Sequence, residues 1–136
     1  MDISKAQEFV KQNHRGVLLT HRRDGTPQLS PVTPGLDADG RVVVSSRETA
    51  MKTKNLRRDP RASLCVFTDG FYGDWVQIDG RVEIVALPDA LPLLEDYYRR
   101  ISGEHPDWHD YRATMVRDRR VVLRITMERA GPDRSG

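Results

Sequence analysis

Only one cysteine, Cys65, occurs in the chain, so no internal disulfide can form. It lies in an apolar run, where a thiol is ordinarily inert packing. No apolar run approaches the roughly 20 residues a helix needs to span a bilayer, so no integral membrane contact is expected. The first residues lack the apolar core of a secretory signal, which makes a cytoplasmic location the expectation. A strong charge of one sign is also missing. Lysine and arginine together number 22 against 20 acidic residues, giving a net charge of +2. That balance argues against a globally basic nucleic-acid binder. Aromatic residues make up 7% and do not interleave with the cations, as a single-strand stacking surface requires. Neither a G-x-S-x-G nucleophile turn nor a glycine-rich phosphate loop is present. What remains is a chain of 136 residues, 38% hydrophobic and 31% charged, suited to one soluble globular domain. That domain is expected over residues 1–130, followed by a polar tail over 131–136.

The N-terminal segment predicts a helix, with Ser4 as cap, Gln7 completing a Ser-x-x-Gln box, and Ala6, Phe9 and Val10 on one face. Gly16–His21 and Pro27–Thr33 flank Asp24-Gly25, a hairpin signal. Turns at Pro34-Gly35 and Asp37–Gly40 lead into the strand-like Arg41–Ser46. Thr49 is a plausible cap for a short helix that should stop near Arg58, because Pro60 disfavours helical geometry at Asp59. Arg61–Thr68 reads as a strand with apolar residues on both faces. Asp74–Asp79 and Arg81–Leu87 read as strands broken at Gly80, a bulge or bend. Pro88 opens a helix that Gly103 closes, and Pro106 opens another carrying Trp108, Tyr111 and Met115. Arg120–Thr126 reads as the last strand. Strands arriving as hairpins predict an antiparallel sheet, and six or seven of them predict a closed or half-closed barrel with peripheral helices.

The densest chemistry lies at Lys52–Arg61, where Lys52, Lys54, Arg57, Arg58 and Arg61 crowd together. Free N–H groups at a helix N-terminus, hydroxyls of Ser45, Ser46 and Thr49, and the lysine charges together suit a phosphate. A solvated helix face is the plain alternative. His105 and His109 lie four apart but lack a third ligand nearby, so no metal site is expected. Trp75 and Gln77 share one strand face, where an aromatic ring and an amide can flank a planar heteroaromatic group. Core packing for Trp75 and a solvated edge for Gln77 are the alternative.

The segments GVLLTHRRDGTPQLSPV, VVVSSRETAMKTKNLRRDPRASL, WVQIDGRVEI and ISGEHPDWHDYRATMVRDRRVVLRI, in this order, resemble one family. It is the deazaflavin (coenzyme F420)-dependent oxidoreductases of the pyridoxamine 5′-phosphate oxidase-like split β-barrel superfamily. The likeness runs from about Ser4 to Thr126 and is most specific over Lys52–Ala62, a K-x-[KR]-N-L-R-x-[DN]-P-R-A pattern. It implies a mainly β (α+β) split barrel of the FMN-binding type. It also implies a homodimer with cofactor sites between subunits, and a small-molecule substrate.

On that resemblance, Ser30, Pro31 and Val32 would lie against the flavin-like ring through backbone groups. Ser45, Ser46, Met51, Lys52 and Lys54 would surround the phosphate and its linker, with Lys52 the direct partner. Trp75 and Gln77 would approach the ring, from either subunit. Pro31 stands where relatives often carry asparagine, and Ala50 where some carry arginine. The implied activity is hydride transfer from reduced F420 to a conjugated acceptor such as an enone or quinone, with no catalytic side chain assigned. An FMN-dependent oxidase or reductase of the same fold is the alternative. So is a non-enzymatic F420 carrier.

Overall fold

The computed structural model describes residues 1–133. The helix α1 (Ile3–Gln12) is followed by the strands β1 (Arg15–His21), β2 (Pro27–Val32), β3 (Gly35–Leu36) and β4 (Val42–Arg47). Then come α2 (Met51–Arg58), β5 (Arg61–Phe67), β6 (Trp75–Val85), α3 (Ala90–Ser102), α4 (Trp108–Arg117) and β7 (Arg120–Gly131). The seven strands form one sheet in the order β2-β1-β5-β6-β7-β4-β3. Every pairing is antiparallel. The sheet curls into a half-barrel whose edges, β2 and β3, do not pair with each other.

The expected break at Gly80 is a bulge inside one continuous strand: the β6–β7 register shifts between Asp79 and Gly80. A Cβ at Gly80 would stand 2.1 Å from the Thr126 carbonyl oxygen, so only glycine lets the two backbones approach this closely. Three expectations are corrected. Strand β7 runs past Thr126 through Gly131 because it pairs with the far end of β6, so Gly131 belongs to the sheet. The rest of the expected tail reaches into residues 134–136, outside the described residues. Ser4 is not the α1 cap; Asp2 holds that position, and Gln7 donates across the fold to the Gly40 carbonyl at 3.0 Å. Thr49 does not cap α2 either; Ala50 does, without a side-chain bond.

The barrel interior is filled by Leu18, Leu64, Val66, Ile78, Leu123 and Ile125, all at most 1% exposed, with Ala6 and Val10 of α1 closing one end. Strands β4 and β7 are buried on both faces. Val42, Val44, Val121, Leu123 and Ile125 point into the barrel, while Val43 and Val122 pack beneath α3 and α4 with Ala90, Leu94 and Tyr111. Residue alternation along β4 and β7 therefore sorts each polar neighbour to one face or the other.

Candidate functional site

Alternation decides the fate of the two β4 serines. Ser46 shares parity with Val42 and Val44 and is 1% exposed, its Oγ 2.8 Å from Thr53 Oγ1, which donates to the Arg47 carbonyl at 2.7 Å. Its hydroxyl is spent in holding α2 to β4, so the expected phosphate contact from the Ser46 side chain is withdrawn. Ser45 shares parity with Val43 and faces the helical side.

There it meets a cavity of roughly 400 Å³ lined also by Pro31, Val32, Lys52, Tyr98 and Arg120. Six elements converge on it: the end of β2, β4, the start of α2, α3, α4, and the first residue of β7. Tyr97 on its wall donates to the Thr33 carbonyl at 2.5 Å, and Tyr111 donates to the Leu94 carbonyl at 2.8 Å. Burial pushes the Tyr97 hydroxyl above its ordinary value, and burial followed by the Tyr97 hydroxyl and the Glu95 charge pushes Tyr111 up to about 12. Both phenols are therefore protonated donors at neutral pH. Lys52 is half-buried; burial and then the Arg120 charge lower its pKa. The roof is aromatic: Tyr98, His105, Trp108 and Tyr111 pack ring to ring at 5.0–5.8 Å, with Arg99 4.2 Å above Trp108. His105 thus serves the roof. Its Nδ1 accepts from the Asp107 N–H at 2.9 Å, and no metal-competent cluster occurs among the described residues.

Lys54 does not join Lys52. Two residues of helix turn a side chain by about 200°, so the lysines point to opposite sides of α2. Lys54 and Met51 line a second, open groove with Arg22, Arg23, Gln28 and Arg58. The only acid on it, Asp24, is engaged by the Thr26 hydroxyl and N–H at 2.6 and 3.0 Å. Asn55, central in the K-x-[KR]-N-L-R pattern, is structural: 1% exposed, it donates to Thr20 Oγ1 at 3.1 Å and Gln28 Oε1 at 2.9 Å, tying α2 to the hairpin. Of the remaining cations, Arg57 pairs with Glu48 at 2.9 Å and Arg61 with Asp59 at 2.7 Å. Arg58 bonds the His21 carbonyl.

The edge strand β2 adds backbone acceptors. Arg22 donates to the Thr26 carbonyl at 2.8 Å, and the register is unbroken from His21↔Pro27 to Gly16↔Val32. Bonded and non-bonded pairs alternate, so Ser30 and Val32 spend their backbone groups on β1, while Leu29 and Pro31 turn theirs to the open edge. Of the three ring-facing residues expected here, only Pro31 keeps a free carbonyl. Trp75 and Gln77 lie elsewhere, on the outer sheet face beside Asp79 and Arg129. Trp75 is 39% exposed, and Gln77 donates to Asp79 at 3.1 Å. Sequence reasoning overlooked Arg120, Arg22, Arg23 and Tyr97. The available signals were an arginine opening the last strand and two arginines in the hairpin turn; nothing local marked Tyr97.

The sequence profile described as pyridoxamine 5′-phosphate oxidase matches residues 3–132. The chain belongs to this family. A crystal structure of a conserved hypothetical protein from Mycobacterium tuberculosis is similar, with 27% identity over 100% of this chain and 92% of that one, at a TM-score of 0.78. An F420 reductase is similar at 21% identity over 92% of this chain and 94% of that one, TM-score 0.70. A putative pyridoxamine 5′-phosphate oxidase from Listeria innocua matches at 19% identity over 98% of each chain, TM-score 0.70. The last two establish a shared split-barrel fold. As a pyridoxamine 5′-phosphate oxidase family member, the chain carries the oxidoreductase fold of a flavin-binding family. Its residues fit a phosphorylated flavin-type group. A tyrosine-lined cavity with an orphaned arginine N–H lies on one side of α2, and a basic groove whose one acid is already satisfied lies on the other.

Proposed function

We propose that the protein is a coenzyme F420-dependent reductase acting on a conjugated small acceptor such as an enone or quinone. One observation carries it: the start of α2 places one lysine in an aromatic cavity and the next in an open groove with Arg22, Arg23 and Arg58. A single phosphate needs only the first of these; a cofactor that continues into an acidic chain uses both. Pro31 and Val32 would meet the ring, Ser45 and Lys52 the phosphate, and Met51, Lys54 and the hairpin arginines the acidic tail. Reduced F420, when bound, supplies a hydride from C5 of its deazaflavin. The chain's own residues bind and align both reactants. Tyr97 and Tyr111, protonated at neutral pH, already donate to backbone carbonyls, and no catalytic side chain is assigned.

A homodimer belongs to the same proposal. Strands β1, β2, β5 and β6 turn Val17, Leu19, Leu29, Phe67 and Trp75 to the face opposite the core, in one register. Pro31 and Val32 border a depression on that face as well as the cavity. A second copy on this face would bring its Trp75 and Gln77 toward the ring.

Fluorescence titration is expected to give F420 binding on the order of micromolar or tighter, and FMN much weaker. The reverse order moves the protein to the FMN branch. Tight F420 binding without acceptor-dependent oxidation across enones, quinones and nitroaromatics identifies a carrier.

A further inference from the structure

We propose that Arg120 and Lys52 form a two-cation seat for the phosphate or carboxylate of a bound ligand, completed by the Ser45 hydroxyl. The seat deepens the function proposed above by adding a residue from the opposite end of the chain.

Three observations carry it. Lys52 comes from the start of α2 and Arg120 from the start of β7, and both line the same roughly 400 Å³ cavity, none of whose lining residues is acidic. Arg120 is poorly compensated. Its nearest carboxylate, Asp118, stands 3.8 Å from Nε and also serves Arg47 at 3.7 Å, and the buried Nε–H has no acceptor among the described residues. Alternation along β7 puts Arg120 on the face of Val122, under α3 and α4, and sends Ser45, opposite Val122, to that same face. Like charges confined together in a half-buried site repel each other, and the repulsion is relieved when an anion enters between them. The lowered pKa of Lys52, caused by burial and then by Arg120, is in keeping with this. The groove around Lys54 differs in its side chains: Arg22, Arg23, Lys54 and Arg58 are all exposed, and Arg58 already bonds a backbone carbonyl.

Two sources could supply the anion: the cofactor's own phosphate, or an anionic group on the acceptor. The test begins with pyrophosphate and phenyl phosphate, read by calorimetry and by NMR of the lysine Nζ signals. Both probes should bind the wild type and raise the Lys52 pKa. Arg120→Gln and Lys52→Met should each weaken binding at least tenfold, with Arg120→Lys restoring most of it. Arg81→Gln on β6, which removes a distant charge, should change binding less than twofold. In the unliganded protein, Arg120→Gln should itself raise the Lys52 pKa, which a merely structural role for Arg120 does not produce. Next, F420 and its phosphate-free deazaflavin riboside are compared. A loss for F420 alone in Arg120→Gln makes the cofactor the source. Unchanged F420 affinity with a loss for phenyl phosphate makes it the acceptor. Anion binding that survives Arg120→Gln but falls in Arg23→Gln places the anion in the open groove and overturns the seat, as does the absence of any anion binding. Because the first probes contain no deazaflavin, failure of the F420 assignment leaves this test intact.

Discussion

Lys52 is held in an unfavourable place. Burial and the Arg120 charge both penalise its ammonium form, so its folded pKa lies below the unfolded value of 10.5. Between those two values the unfolded chain binds more protons than the folded one, and stability rises with pH. At neutral pH the charge therefore costs stability. Lys52→Met is expected to raise the urea midpoint at pH 7 while weakening phosphate and cofactor binding. The gain in midpoint should shrink as the pH climbs toward 10.5, which parallel denaturation curves at pH 7 and pH 10 will check. A midpoint that falls at pH 7 refutes this account of Lys52. The other cations of the segment behave differently. Arg61 keeps Asp59 well below the ordinary carboxylate range through side-chain and backbone hydrogen bonds, and the pair fastens the turn from α2 into β5.

At the scale of elements, the bulge in β6 sets the course of the two longest strands. Gly80 lets β6 bend against β7, and a methyl group there would meet backbone rather than a side chain that can swing aside. Gly80→Ala is expected to destabilise the fold by roughly 1–3 kcal/mol or more, the range for forced overpacking, measured as a lowered denaturation midpoint. An unchanged midpoint would mean that the backbones can separate without cost. The element pattern was largely legible beforehand. Apolar alternation, Asp24-Gly25, Pro60, Pro88 and Gly103 each carry a local signal, and α2 does end at Arg58. The caps were not legible. Ser4 and Thr49 offer suitable hydroxyls, but the position of a cap depends on where the helix docks, and docking sets the α1 start at Asp2 and draws Gln7 to Gly40.

At the scale of the molecule, the outer face of β1, β2, β5 and β6 carries apolar side chains that a single chain leaves open. Leu29 is 64% exposed and Trp75 39%. Leu29 stands opposite Leu19 in the β1–β2 register, and both point away from the core. Leu29→Glu, made in a side chain that contributes little to the barrel interior, is expected to leave the monomer folded. On the homodimer and F420 readings proposed above, it should shift the protein from dimer to monomer in sedimentation velocity and weaken F420 binding at the same time. A Leu29→Glu protein that remains dimeric would place the dimer interface on a different face.

By itself the sequence determined the antiparallel barrel, the basic α2 segment and its abrupt stop, because these follow from alternation, turn chemistry and proline geometry within a few neighbouring residues. Tertiary structure alone decided which cations share a space. Lys52 and Lys54 are neighbours in sequence and are parted by the pitch of the helix, while Lys52 and Arg120 are brought together because β7 closes the sheet beside β4. Whether Ser45 or Ser46 meets a ligand depends on which face of β4 the helices cover, a fact set by packing at long range and invisible in any local pattern.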